Sequence, residues 1–246
     1  MNYTDLRDWL AVVERMGQLR TLRGAHWNLE IGSITDLLHH AQPSPAVVFD
    51  DIQDCPPGRR VLVNALHSRE RLALAMGLPA DLPDLDFVAH LRKKLSSITP
   101  IPPKRTASGS VLENVLTGKA IDIFQFPAPK WHEQDGGRYI GTGCIAVTQD
   151  PDDGWVNLGT YRVMVHDRDA VGLYISPGKH GRIHRDKCFS RGLPLKVAIS
   201  LGQEPLLFLG SCMELPYGMS EYDYVGGWRG ESVEVVEGEF SGLPIP

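Results

Sequence analysis

The sequence is poor in the features that would assign it to a special class. It has four cysteines in 246 residues, Cys55, Cys144, Cys188 and Cys212, far apart and with no CxxC spacing. Neither a zinc knuckle nor a disulfide framework fits that pattern, so they read as buried thiols in a reducing, cytoplasmic setting. No run approaches the ~20 apolar residues needed to span a bilayer. The opening Met1-Asn2-Tyr3-Thr4-Asp5 leads into an amphipathic pattern without an apolar signal region. A basic excess is missing too: 25 Lys and Arg stand against 30 Asp and Glu, a net charge of -5 with a pI near 6.0. That balance argues against nucleic-acid and anionic-membrane partners, which select for a basic face. The one basic cluster, Arg182, His184, Arg185 and Lys187, is short and reads as a solvated helix face, with an anion-binding role as the alternative.

What is present is enough apolar material, 42% of residues with 8% aromatics, to fill one large core or two ordinary ones. Leu6, Trp9, Leu10, Val13 and Met16 recur at helical spacing between Thr4, a candidate N-cap, and Gly17, a stop. Ile31, Ile34, Leu37 and Leu38 repeat the pattern. Ala46–Phe49 and Val61–Asn64 read as short strands buried on both faces, Ser68 caps a helix ending at Gly77, and Phe87, Val88, Leu91 and Leu95 predict one more. These alternating elements predict a small N-terminal α/β domain.

Thr99-Pro100-Ile101-Pro102-Pro103-Lys104 cannot continue a helix and is the best boundary, dividing the chain into 1–104 and 105–246. Beyond it the period falls to 2. Tyr139–Val147 and Trp155–Val165 read as strands joined around Asp152-Asp153-Gly154, with further strands at Val171–Ile175, Leu195–Leu201, Pro205–Leu209 and Val233–Val236. His180–Ser190 is the one clear helix among them.

The chemistry gathers in the β-rich part. Ser176-Pro177-Gly178-Lys179-His180 links a strand to a helix, and a helix N-terminus offers free N–H groups and a positive dipole end to an anion. Asn157, His180 and Glu221 supply an amide, an imidazole and a carboxylate, a donor set that can hold a divalent cation against a phosphate. Arg162 follows five residues after Asn157 and can orient a carboxylate through its planar donors; a structural salt bridge is its simpler reading. Singly, each of these residues is ordinary.

Together, Asn157-x-Gly-Thr-x-Arg162, Gly178-Lys179-His180, Pro194–Gly202 and Gly218-Met219-Ser220-Glu221 resemble the UbiD family of reversible carboxy-lyases, which use prenylated FMN. Asp5–Leu10, Ala46–Asp51 and Asn64–Leu78 look like that family's N-terminal domain, so the resemblance covers nearly the whole chain. It implies an α/β domain followed by a split β-barrel flavin-binding domain. It also implies that Asn157, His180 and Glu221 ligate Mn2+ or Mg2+ bridging to the flavin phosphate, and that Arg162 belongs to a Glu-Arg-Glu catalytic network. Gly159, Thr160, Tyr161, Lys179, Ser211, Cys212 and Met213 would line the cofactor. K+ would lie near Leu158, Gly210, Ser211, Met213 and Glu221, and Thr142 would face the substrate. The implied reaction is non-oxidative decarboxylation of an aromatic or α,β-unsaturated acid, with the cofactor made by a flavin prenyltransferase and the full-length protein a homo-oligomer.

The same resemblance places two catalytic glutamates a few dozen residues beyond Glu221. Glu231, Glu234, Glu237 and Glu239 come too early and alternate as the solvent side of a strand. The chain is therefore expected to be about half of a family member, a portion of a longer polypeptide that does not decarboxylate alone. The competing expectation is a non-catalytic flavin-binding or assembly subunit completed by a partner chain. A flavin reductase on a similar barrel is a weaker third, since it needs no metal triad.

Overall fold

The computed structural model describes residues 2–246. In chain order the elements begin with α1 (Leu6–Arg15), β1 (Leu19–Arg23), α2 (Glu30–His40), β2 (Ala46–Asp50), β3 (Val61–Val63), α3 (Arg69–Met76), α4 (Asp84–Ser96) and β4 (Lys104–Thr106). They continue with β5 (Tyr139–Gly141), β6 (Ile145–Gln149), β7 (Val156–Gly159), β8 (Arg162–Asp167), β9 (Ala170–Tyr174) and α5 (His180–Ser190). The last are β10 (Ala198–Ser200), α6 (Pro205–Ser211), α7 (Glu221–Arg229), β11 (Glu234–Glu237) and β12 (Pro244–Ile245). They form two compact units. One takes the residues up to Phe87 with Thr117–Gly141 and Val163–Leu173, and the other takes Val88–Leu116, Thr142–Arg162 and Tyr174–Pro246.

In the first unit β2 is central, parallel to β1 and antiparallel to β3. Side chains alternate across a strand, and β2 buries both faces. Val47 and Phe49 pack with Ile31 of α2, Ile52 and Val63, while Ala46 packs with Trp9 and Val13 of α1. Helix α3 starts where Ser68 accepts from Arg71 N and stops at Gly77, whose φ of +65° is free of penalty only for glycine. Asp5 rather than Thr4 caps α1, because its carboxylate accepts from Asp8 N while Thr4 hydroxyl bonds Asp8 itself. Strand β1 was not foreseen, since four of its five residues are exposed and carry no period-2 signal.

The second unit is built around the antiparallel sheet β10-β6-β7, in which β7 is an edge. Its hairpin register pairs Ala146 with Gly159, Val147 with Leu158, Thr148 with Asn157 and Gln149 with Val156. Gly154, at φ +78°, closes the turn predicted there. A second sheet, β12-β11-β4, brings Lys104 to Glu234 at 2.8 Å and Arg105 to Glu237 at 3.1 Å. The acids of that strand region face solvent, as their alternation suggested.

Several sequence expectations change. Tyr139–Val147 is two strands, β5 and β6, interrupted at Thr142–Cys144, and Trp155–Val165 is likewise β7 and β8, interrupted at Thr160–Tyr161. The halves join different sheets, β6 and β7 with β10 but β5 and β8 with β9. Pro205–Leu209 is not a strand but the start of α6: Pro205 occupies its first turn, and Glu204 accepts from both Leu206 N and Leu207 N. A short apolar run fits a buried helix as well as a buried strand, and here the cap decides. Only Ala198–Ser200 of the segment Leu195–Leu201 is extended into a ladder. Helix α7 was missed altogether, because Gly226 and Gly227 weaken its pattern. A Cβ on them would stand 2.5 Å from Ile101 O and 2.2 Å from Thr99 O, so the glycines are required by the extended segment against which the helix lies. Among the described residues no helix is long and apolar enough to cross a membrane.

Candidate cofactor and metal site

Asn157 lies on β7, the edge strand of its sheet, and Glu221 reaches that strand at the next residue, Leu158. Asn157 is 3% exposed, and Glu221, the first residue of α7, is 2% exposed. Glu221 Oε2 accepts the outward N–H of Leu158 at 2.7 Å. Burial raises the Glu221 carboxyl to about 7 against the partial relief of the N–H bonds from Leu158 and its own backbone, and no basic side chain among the described residues helps to hold it ionised. A buried acid without a counter-ion has the electrostatics of a cation ligand.

Helix α5 begins nearby in the same unit. Its N-cap, Lys179, offers no side-chain acceptor, and the N–H of Gly181 reaches the Tyr161 hydroxyl at 3.3 Å. That hydroxyl lies 3.5 Å from Asn157 Nδ2, so Tyr161 links β7 to the start of α5. The tyrosine ring fits there because Gly159 and Gly181 have no side chains; a Cβ would come within 2.3 Å and 2.9 Å of it. His180 packs on Trp155 with ring centroids 4.8 Å apart, and on Tyr217 at 6.0 Å. Burial and then the charge of Lys179 depress its pKa, favouring the neutral imidazole that a metal needs. Lys179 is paired with Glu214, both exposed.

The remaining predicted positions divide. Gly159 and Ser211 are buried, Thr160, Tyr161 and Met213 are half-buried, and Cys212, at the end of α6, is exposed. Although Cys212 is exposed as a residue, its thiol is partly desolvated, which raises its pKa against hydrogen bonds with Thr160 and Ser211, so these lining candidates do come together. Arg162 is exposed at the start of β8, where no salt bridge holds it among the described residues, and Thr142 is exposed as well. Among the described residues no three or more His, Cys, Asp or Glu side chains are arranged for a metal; the set here relies on an amide as its third donor.

The basic cluster on α5 is not a single solvated face. His184 is fully buried with its Nδ1 3.0 Å from Thr148 Oγ1. Lys187 bridges Asp150 at 2.6 Å and Asp152 at 3.0 Å, while Arg182 and Arg185 pair with Asp186. Sequence reasoning missed Thr148, Asp150 and His184 as neighbours of the site. The available signals were the hairpin, which sets Thr148 opposite Asn157, and the one-turn spacing of His180 and His184.

With this geometry stands a clear kinship. Residues 103–246 match the 3-octaprenyl-4-hydroxybenzoate carboxy-lyase Rift-related domain and residues 10–92 match the N-terminal domain of the same enzymes, so the chain belongs to the UbiD family. It is 38% identical to pyrrole-2-carboxylic acid decarboxylase of Pseudomonas aeruginosa, over 98% of this chain and 50% of that protein. It is 31% identical to phenolic acid decarboxylase of Bacillus subtilis, over 100% and 53%. Among solved structures, the closed form of Sedimentibacter hydroxybenzoicus vanillic acid decarboxylase superposes with a TM-score of 0.91 at 29% identity, covering 99% of this chain and 52% of that one. An evolved dimeric form of the UbiD-class enzyme HmfF from Pelotomaculum thermopropionicum, in complex with prFMN, gives 0.87 at 25% identity, covering 98% and 54%. The chain thus spans about half the length of the relatives it matches, as a mixed α/β N-terminal domain followed by a β-rich Rift-related domain.

Proposed function

We propose that this chain carries the prenylated-FMN-binding part of a decarboxylase acting reversibly and without oxidation on an aromatic or α,β-unsaturated carboxylic acid. The observation that carries the reading is Glu221, a buried carboxyl bonded to the N–H of Leu158, next in β7 to Asn157, with no basic side chain among the described residues to balance it. The donor chemistry fits a divalent ion: Asn157 Oδ1, a neutral His180 and Glu221 would hold Mn2+ or Mg2+, leaving positions for phosphate oxygens. Lys179 and the leading N–H groups of α5 would take the rest of the phosphate charge. Gly159, Thr160, Tyr161, Ser211, Cys212 and Met213 would line the flavin, and carbonyls around Leu158, Gly210, Ser211 and Met213 would hold K+.

The bound cofactor supplies the electron sink that decarboxylation requires. The protein's share is placement. Arg162, held by no salt bridge among the described residues, would align the substrate carboxylate through two parallel N–H bonds. Apolar walls would strip water from that carboxylate. The names of the relatives, for pyrrole-2-carboxylic, phenolic and vanillic acids, support an aromatic acid as substrate.

Co-expression with a flavin prenyltransferase tests the reading. The purified chain should retain prenylated FMN, identified by mass, with Mn2+ measured by elemental analysis, and Asn157→Ala and Glu221→Gln should lose both. Retention of neither by the wild type, or undiminished retention by both variants, would overturn it.

A further inference from the structure

Of the three proposed ligands, Asn157 is the one whose chemistry depends on which way it faces: Oδ1 can hold a cation and Nδ2 cannot. It stands directly opposite Thr148 in the β6–β7 hairpin, with Nδ2 3.4 Å from Thr148 Oγ1 and 3.5 Å from the Tyr161 hydroxyl. An amide nitrogen only donates, so Thr148 Oγ1 accepts and needs another acceptor for its own proton. His184 Nδ1 lies 3.0 Å from it in a fully buried contact. With Nδ1 accepting, the ring proton sits on Nε2, which faces Asp150 Oδ2 at 3.7 Å. The other tautomer would turn a lone pair on that carboxylate. Lys187, 2.6 Å from the same oxygen, keeps Asp150 in place. Burial lowers the His184 pKa to about 4, so the imidazole stays neutral near pH 7 and Nδ1 remains an acceptor.

We propose that Thr148, oriented by His184, is the positioning residue that turns the Asn157 carbonyl oxygen rather than its NH2 group toward the cation. The assignment rests on the metal-site reading above. The direction of the two hydrogen bonds, Asn157 to Thr148 and Thr148 to His184, follows from the group that can only donate, the Asn157 amide nitrogen; Asp150, 3.7 Å from His184 Nε2 and so beyond hydrogen-bond reach, favours the same tautomer through its charge alone.

Two measurements test it on the 246-residue chain. Mn2+ binding with FMN present, read from the EPR signal of free Mn2+, should weaken about 10–100-fold in Thr148→Val, which keeps shape and loses the hydroxyl, and return to within about threefold of wild type in Thr148→Ser. Nitrogen-15 NMR of the wild type should show His184 as the Nε2–H tautomer, a readout that needs neither metal nor variant. Full Mn2+ affinity in Thr148→Val, equal loss in Thr148→Val and Thr148→Ser, or an Nδ1–H tautomer would overturn the proposal. Asn157→Ala separates the two ideas. If it abolishes binding while Thr148→Val does not, the proposal alone fails; if it changes nothing, or the wild type binds no Mn2+, the metal-site reading fails and the proposal with it.

Discussion

Replacing Glu221 with glutamine should stabilise the metal-free chain in alkaline solution and leave it unchanged in acid. The side chain is almost wholly buried and its carboxyl titrates near 7 instead of the ordinary 4.5. The folded protein therefore holds this proton to a higher pH than the unfolded chain does. Stability from this group is intact below about pH 4.5, declines as the pH rises toward 7, and is lost above it. At about 1.4 kcal/mol per pH unit, the displacement corresponds to about 3 kcal/mol. Glutamine has the same size, stays neutral, and can still accept the Leu158 N–H through its amide oxygen. Urea unfolding in EDTA at pH 4.5 and 8.5 measures the effect: the two proteins should coincide at the lower pH, and Glu221→Gln should be about 3 kcal/mol more stable at the higher. Mn2+ should raise the wild type at pH 8.5 and leave the variant where it is. Parallel pH profiles would show that the Glu221 carboxylate is not an uncompensated buried charge, and would refute the reasoning.

Arg71, 1% exposed, donates to Ala65 O, Gln18 Oε1, Ser44 O and Asn64 O, so Arg71→Met removes four hydrogen bonds, although Gln18 Oε1 keeps Ser68 Oγ and Asn64 O keeps His67 N, and should lower stability by about 3 kcal/mol in denaturant titration. Arg71→Lys, with its donors on one nitrogen, should recover only part of that loss. Gly159→Ala drives a methyl to within 2.3 Å of the Tyr161 ring and should cost about 1–3 kcal/mol, with Tyr161→Ala relieving the clash in a double-mutant cycle. Gly227→Ala meets the backbone of Thr99 at 2.2 Å, where neither side can yield as a side chain would, and should shift the thermal midpoint down more than Gly143→Ala, whose Cβ would meet nothing within 4 Å.

Where local chemistry decides structure, the sequence is readable. The Ser68 cap, the Gly77 stop, the hairpin turn at Gly154 and the span of α5 all follow from neighbouring residues. Elements shaped by distant partners are not. Helix α7 needs glycines because of Thr99 and Ile101, and glycines are what hide a helix from a periodicity reading. The breaks at Thr142–Cys144 and Thr160–Tyr161 serve sheet membership, which no alternation of apolar residues encodes. At the candidate site the same contrast holds. Asn157, His180 and Glu221 were visible as donor types in a familiar order, but Thr148 lay just past the strand expected at Tyr139–Val147, and His184 read as part of a solvated helix face. Only the hairpin register and the buried face of α5 bring them beside Asn157.

The position of β7 at the margin of its sheet has a consequence for solubility. An edge strand presents unpaired N–H and C=O groups to any other extended chain, and such rows seed intermolecular pairing. Here the outward N–H of Leu158 is already taken by Glu221, and the turn of α7 that carries this side chain starts against the strand. Ionised or protonated, the carboxyl occupies that donor, so a second strand finds no free N–H at Leu158. The carboxyl that would grip a cation thus also keeps this edge from recruiting another copy of itself during folding.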